Sequence, residues 1–484
     1  MAEERQLVER VASGVVWSVA EKVGSALLQA VVSIVVANRI MPMDMGIMAV
    51  LTFFTTLAQV VVDSGFSQTL IRKEKPTQED YRSVFAFNIA VSVVLYAVLV
   101  AVAPVVARYY ELPIIAKIAP VLFLLLPVNA LCVIQNTIFT REFRFRLLSK
   151  ANFAASFVAG AVAIAMALAG CGVWSLVGQR VATLAVKTLI LWVCSSWRPS
   201  LHFTLKPVRE MAPFSFRLLT TDLISSIYNN ISQMFIGKIY SADTLGFFNQ
   251  AQKFKDLPLT STMQSVQSVT YPALSQIGDQ REKFAESYRQ VMMVVAFMLF
   301  PVMIGIASVA EDLFALLLGE KWMPTVPYLQ ILCLTGIFQP LAMIAYNVLK
   351  VKSNGAIILR LEIAKKALMT LLLAVAIPHS VKAVAWGLVA MSFCEFAINF
   401  VASLRYTSLG VWRAVRTLVP IVAITILMYV TVTVVGGAMS GCSVIARLAV
   451  EIVTGVVVYT ALSLVFRLEA VGEIRGLIRK MISK

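Results

Sequence analysis

Fourteen apolar runs follow one another along these 484 residues. Each is about as long as the ~20 residues that a helix needs to cross bilayer hydrocarbon. They cover 13–40, 46–70, 84–107, 114–138, 151–170, 172–195, 213–239, 244–270, 289–310, 323–349, 357–377, 383–404, 414–436 and 444–466. Amides and carbonyls must be paired inside a bilayer, so runs of this length are helices. The fold class is an all-α polytopic membrane protein with about 14 transmembrane helices. Runs 213–239 and 244–270 carry many polar residues, and only Gly170-Cys171-Gly172 separates 151–170 from 172–195. Composition agrees: 59% of residues are hydrophobic and 14% charged, against roughly a quarter charged in soluble domains. Mean hydropathy is +0.82. These values exclude a cytosolic enzyme, a disordered scaffold and a secreted disulfide module.

The net charge of +16 would suggest nucleic acid in a soluble protein. Here the basic residues sort by side. Of 42 Lys and Arg, 28 fall in the termini and alternate loops or at the run ends beside them, 7 in or beside the opposite loops and 7 deeper inside runs. That bias places both termini in the cytoplasm and leaves no nucleic-acid partner to invoke. The charged start MAEERQLVER and the long run after it do not resemble a cleavable signal peptide. Six dispersed cysteines contain no CxxC, and two isolated histidines, His202 and His379, offer no metal site. Cys171 and Cys442 fall in loops on one side, but spacing does not establish pairing.

Runs one and seven resemble each other at a shift of about 200 residues: Lys22, Ser25, Gln29, Ser33 against Asp222, Ser225, Asn229, Gln233. Each ends in a similar outer turn, Arg39, Asp44, Gly46 and Lys238, Asp243, Gly246. Both runs start on the cytoplasmic side, so the repeat is parallel. The implied organisation is a cytoplasmic N-terminus (1–12), an N-terminal six-helix bundle (13–195) and a cytoplasmic linker (196–212). A C-terminal six-helix bundle (213–404), an appended helix pair (414–466) and a basic cytoplasmic tail (467–484) follow. The polar stripes would line a cavity between the bundles, although such stripes also arise by coincidence in transport helices. Arg475, Arg479 and Lys480 suit a basic amphipathic helix on the anionic inner leaflet.

Four segments carry a family likeness: Leu-Gly-Glu-Lys-Trp-Met-Pro-Thr-Val-Pro-Tyr-Leu-Gln at 318–330, Val-Thr-Tyr-Pro-Ala-Leu-Ser at 269–275, Val-Asp-Ser-Gly-Phe-Ser-Gln-Thr-Leu-Ile-Arg at 62–72, and Gly-Cys-Gly-Val-Trp-Ser-Leu-Val at 170–177. In this order they resemble the bacterial polysaccharide and O-antigen flippases of the multidrug/oligosaccharidyl-lipid/polysaccharide exporter superfamily, over residues 12–410. The resemblance implies a flippase in the bacterial inner membrane. It would carry undecaprenyl-diphosphate-linked oligosaccharide from the inner to the outer leaflet by alternating access, for O-antigen, capsule or exopolysaccharide. Its partners would be membrane lipids and polysaccharide polymerase or export proteins. Many members of that family carry an acid late in the seventh run, where this chain has Ser232-Gln233.

A charge at mid-bilayer costs at least ~2.5 kcal/mol, so each one is a functional hypothesis. Lys22, Arg180 and Lys253 lie near mid-depth, too far for easy snorkelling, and are candidates to meet the diphosphate through charge-assisted hydrogen bonds. Arg217 and Lys187 lie nearer the cytoplasmic ends with Lys365 and Lys366, where substrate contact competes with headgroup anchoring. Glu362 and Lys366 are spaced for a local i,i+4 pair. Gln29, Asn229, Asn230, Asn249, Gln264 and Gln267 could serve the sugars. Asn249, Lys253 and Asp256 share a helix face that Lys255 does not. Asp222, Glu395 and Asp256 are the ion-coupling candidates, each equally able to serve as a structural partner of a lysine. Asp63 falls at headgroup level. No cofactor is called for beyond a coupling proton or sodium ion, since GxxxxGK[ST] is absent and ATP hydrolysis with it. Two other functions compete. A drug or cation exporter of the same superfamily would need a net acidic cavity. A membrane glycan polymerase or ligase would need a sizeable outer loop, but no loop between runs reaches 20 residues. The chain reads as a transporter, not an enzyme.

Overall fold

A computed structural model of the chain describes residues 21, 24–63, 65–200, 204–277, 280–353 and 355–473. Lys22 and the tail residues Arg475, Arg479 and Lys480 lie outside the described residues. Among the described residues every regular element is helical. The chain divides into two compact units, 1–246 and 247–484. The first holds α1 (Gly24–Arg39), α2 (Pro42–Asp63), α3 (Phe66–Arg72), α4 (Gln78–Tyr110), α5 (Ile114–Phe123), α6 (Leu125–Arg141), α7 (Phe145–Leu168), α8 (Trp174–Cys194) and α9 (Lys206–Ile239). The second holds α10 (Ala242–Gln276), whose first turn belongs to unit one, then α11 (Arg281–Ser308), α12 (Ala310–Leu317), α13 (Val326–Cys333) and α14 (Thr335–Lys352). It ends with α15 (Gly355–Ala376), α16 (Val381–Leu404), α17 (Val411–Ala438) and α18 (Val444–Val465).

Ten helical stretches among the described residues are long and apolar enough to cross a membrane. Three expected continuous runs are interrupted: 46–70, 114–138 and 323–349, the last between α13 and α14. Run 46–70 breaks at Gly65, whose φ of 68° suits glycine. A Cβ there would also lie 2.9 Å from Leu218 Cβ, so the turn and the approach of α9 both require its absence. Run 114–138 breaks between α5 and α6. Pro127 has no N–H to bond the Phe123 carbonyl one turn earlier, which ends the regular ladder there.

The junction of α3 and α4 shows how the basic loops are built. Thr77 and Asp80 form a reciprocal cap at the start of α4, and Lys73 Nζ donates to Asp80 at 2.8 Å. Arg141, at the end of α6, donates to the carbonyls of Lys73 at 2.6 Å and Glu74 at 3.2 Å. It thereby satisfies oxygens that the end of α3 leaves without helical donors.

At the opposite end of unit one, the first turns of α2 and α10 cross at backbone contact. A Cβ on Gly46 would fall 1.8 Å from the Ala242 carbonyl oxygen, and one on Gly246 would fall 2.0 Å from the Pro42 carbonyl oxygen. Each glycine meets the residue four positions before the other, so the two contacts are reciprocal.

In unit two, α17 and α18 form a hairpin that packs on α11 through Ile421, Ile424, Met428 and Leu448, with Tyr459 donating to the Phe297 carbonyl at 2.9 Å. The chain after α18 returns to the same core, where Leu468 and Ala470 are buried. Glu469 accepts from buried Arg289 of α11 at 2.8 Å. That guanidinium holds the Glu469 carboxyl below the usual carboxylate range. A carboxyl with a lowered folded pKa adds stability above its unfolded value of ~4.3, and this is lost as pH falls through the folded value. Thermal unfolding of the purified protein should therefore move down between neutral pH and about pH 4. Glu469→Gln should lower the neutral-pH midpoint and flatten that dependence. An unchanged dependence would show that the contact does not anchor the segment.

Candidate functional site

Unit one contains a cavity of about 630 Å³, within the ~300–1,000 Å³ typical of ligand sites. Residues from α2, α3, α6, α8 and α9 line it. Three are charged: Asp63, Lys187 and Asp222. The other polar contributors include five amides, Gln68, Asn129, Asn136, Asn229 and Asn230, and the hydroxyls of Thr56, Ser67, Ser225 and Ser226.

Local structure explains how these groups meet. Asp63 is the last residue of α2, and the chain turns away immediately after it at Gly65, leaving the carboxylate at the cavity wall. Asn129 Nδ2 donates to Asp63 Oδ1 at 3.1 Å, holding its orientation. On α9, Asp222, Ser225, Ser226, Asn229 and Asn230 recur at helical spacing, so one face of the helix lines the space. On α8, Trp192 Nε1 donates to the Leu131 carbonyl at 2.9 Å, docking the helix on α6 and fixing the position of Lys187. Lys187 and Asp222 both act electrostatically on Asp63. Among the described residues Lys187 makes no ion pair. An ammonium held beside neutral amides can take an anionic oxygen, and the amides can serve hydroxyls.

Four expected site residues, Lys187, Asp222, Asn229 and Asn230, therefore share one cavity. Arg180 is exposed on α8 two turns from Lys187, on the same face but not in the lining. Arg217 is exposed on α9, and Gln29 is exposed on α1. Lys22 lies outside the described residues. In unit two, Asn249 and Lys253 are half-buried on α10. Lys255, on a different face from Lys253, is buried and reaches Asp256 at 2.9 Å, because its long stem can curl back along the helix. Glu395 lies 3.6 Å from Lys365, which also binds Glu362 and sits 5.2 Å from the Tyr346 ring. Lys365 was expected at the headgroups, but its side chain is 3% exposed between carboxylates. Glu362 thus pairs at i,i+3 with Lys365. Gln267 is exposed.

Sequence reasoning missed the cavity roles of Asp63, Asn129, Asn136 and Gln68. The Asp-Ser-Gly break after α2 was the available signal, since a helix that ends inside an apolar run exposes polar groups there.

The chain is similar to several known proteins. Residues 35–327 match the polysaccharide biosynthesis protein family. The chain is 24% identical over 341 residues to the teichuronic acid biosynthesis protein TuaB of Bacillus subtilis, covering 69% of this chain and 70% of that protein. It is 24% identical over 325 residues to the succinoglycan biosynthesis transport protein ExoT of Rhizobium meliloti, covering 67% of this chain and 66% of that protein. The fold matches that of the lipid II flippase MurJ in an inward closed conformation, with a TM-score of 0.71, 13% identity and coverage of 94% of this chain and 98% of MurJ.

Proposed function

From the premise that the chain belongs to the polysaccharide biosynthesis protein family, we propose that it is a flippase for lipid-linked oligosaccharide, carrying undecaprenyl-diphosphate-linked repeat units from the inner to the outer leaflet. The relatives in teichuronic acid and succinoglycan biosynthesis and the MurJ fold support this reading. The observation that carries it is Lys187: a cation with no ion pair among the described residues, set among amides in a cavity large enough for a glycosyl diphosphate. On this reading helices α1, α9, α10 and α15 are the spans to be added to the ten apolar stretches, and the Lys and Arg bias would put both termini in the cytoplasm. Alternating access would move the site between the two leaflets. Energy would come from an ion gradient, with Asp222 of the same cavity as the ion-coupling candidate.

One observation favours a second reading, the drug or cation exporter. Asp63 and Asp222 outnumber Lys187 in the cavity, which suits a cationic cargo unless a carboxylate is protonated. A gene deletion in the native host separates the two. The flippase reading predicts loss of surface polysaccharide and accumulation of lipid-linked repeat units on the inner leaflet. Normal polysaccharide together with sensitivity to cationic dyes would support the exporter instead.

A further inference from the structure

The hairpin α17–α18 is apolar over most of its length and nevertheless encloses a carboxyl group. Glu451 on α18 is 7% exposed, and its Oε2 has no hydrogen-bond partner. Room for the group is made by Gly436 of α17, where a Cβ would lie 2.0 Å from Glu451 Oε1. One turn earlier on the same face, Arg447 binds both carboxylate oxygens of Asp312. Asp312 stands at the start of α12 and is 3% exposed. The Glu451 and Asp312 carboxyl groups are within hydrogen-bonding reach of each other.

Two ionised carboxylates are both acceptors and cannot bond to one another. A buried polar atom left without a partner is costly, and a buried net charge more so. With both acids ionised, Arg447 leaves the cluster one negative charge in excess. A single proton resolves both difficulties: the guanidinium keeps Asp312, and protonated Glu451 becomes the donor that its own burial demands. From α12 the charged groups facing Glu451 are Asp312 and Glu311, and from α18 itself Arg447; α17 and α11 add none among the described residues. Sodium is a poor alternative, since Arg447 already occupies both oxygens of Asp312 and few oxygen ligands remain.

We propose that Glu451, Asp312 and Arg447 form a proton-binding site in the second unit, in which Glu451 takes up one proton and donates it in a hydrogen bond to Asp312. The step is a protonation alone: one O–H bond forms on Glu451 and no other bond changes. Loss of the proton leaves two facing carboxylates on α12 and α18 and weakens the seam between them. The site stands on its own geometry; only its use as the coupling proton of a carrier rests on the flippase reading.

Infrared difference spectroscopy of the purified full-length protein tests this without any transport measurement. The expected result is a protonated-carboxyl C=O band at neutral pH that shifts in heavy water. It should be lost in Glu451→Gln and retained, at a shifted frequency, in Glu451→Asp. Absence of the band from the wild type, its persistence in Glu451→Gln, or its removal by sodium at constant pH would overturn the assignment. Because the spectrum is independent of cargo, a protein that shows the band yet moves no glycan would refute the flippase reading and leave the site intact.

Discussion

Replacing Lys187 by alanine is expected to weaken binding of a diphosphate-linked lipid glycan by roughly 10- to 100-fold. A hydrogen bond to a charged group contributes about 1.5–3 kcal/mol, and each ~1.4 kcal/mol is a factor of ten. Lys187 makes no ion pair among the described residues, so its removal should leave folding close to wild type. Lys187→Glu should reduce binding further, since three acids would then face the cargo. Lys187→Arg should restore much of the affinity because the charge returns. Asp222→Asn removes a competing negative charge from the same wall and should tighten binding of the anionic lipid at neutral pH. Binding can be read by thermal shift or ligand competition on purified variants. Equal affinities across this series would show that the cavity charge does not recognise the cargo.

The second large effect falls on the helix crossing. Glycine to alanine in a helix interior usually gains about 1 kcal/mol from propensity. At Gly46 and Gly246 the sign should reverse, because the obstacles are backbone carbonyl oxygens at 1.8 and 2.0 Å, which cannot rotate aside as a side chain does. Overpacking costs about 1–3 kcal/mol, sometimes more, so Gly46→Leu and Gly246→Leu should sharply lower the unfolding temperature or the yield of folded protein. Gly437 is the control: a Cβ there meets nothing within 4 Å, so Gly437→Ala should be neutral or slightly stabilising. Similar destabilisation at all three positions would mean that the crossing has no special role.

Ten of the expected spans were legible because a bilayer imposes length and apolarity, and ten helical stretches among the described residues meet both criteria. Helices α9 and α10 were harder to read because their polar faces dilute the hydropathy, and on α9 that face lines the cavity. The polar stripe beginning at Asp222 was visible as a period in the sequence. Its meeting with Asp63 and Lys187 was not. Asp63 and Asn129 are 66 residues apart, and only the Gly65 turn and the docking of α8 on α6 bring these groups to one wall. Lys365 shows the opposite failure. Its depth along the run suggested a headgroup anchor, but rotation about the helix axis turned it into a buried pair with Glu362 and Glu395. Depth can be counted along a sequence, whereas azimuth depends on which neighbouring helix is packed alongside. Gly46 and Gly246 were read as matching turns, but the sequence did not show that the two helix starts touch there.

The most direct measurement reconstitutes the purified protein in vesicles that carry a labelled undecaprenyl-diphosphate oligosaccharide in the outer leaflet, and follows its protection from an external, impermeant glycosidase. The account predicts rapid protection with wild-type protein, slow protection with Lys187→Glu and recovery with Lys187→Arg. Protection no faster than in protein-free vesicles, or equally fast in Lys187→Glu, would contradict it.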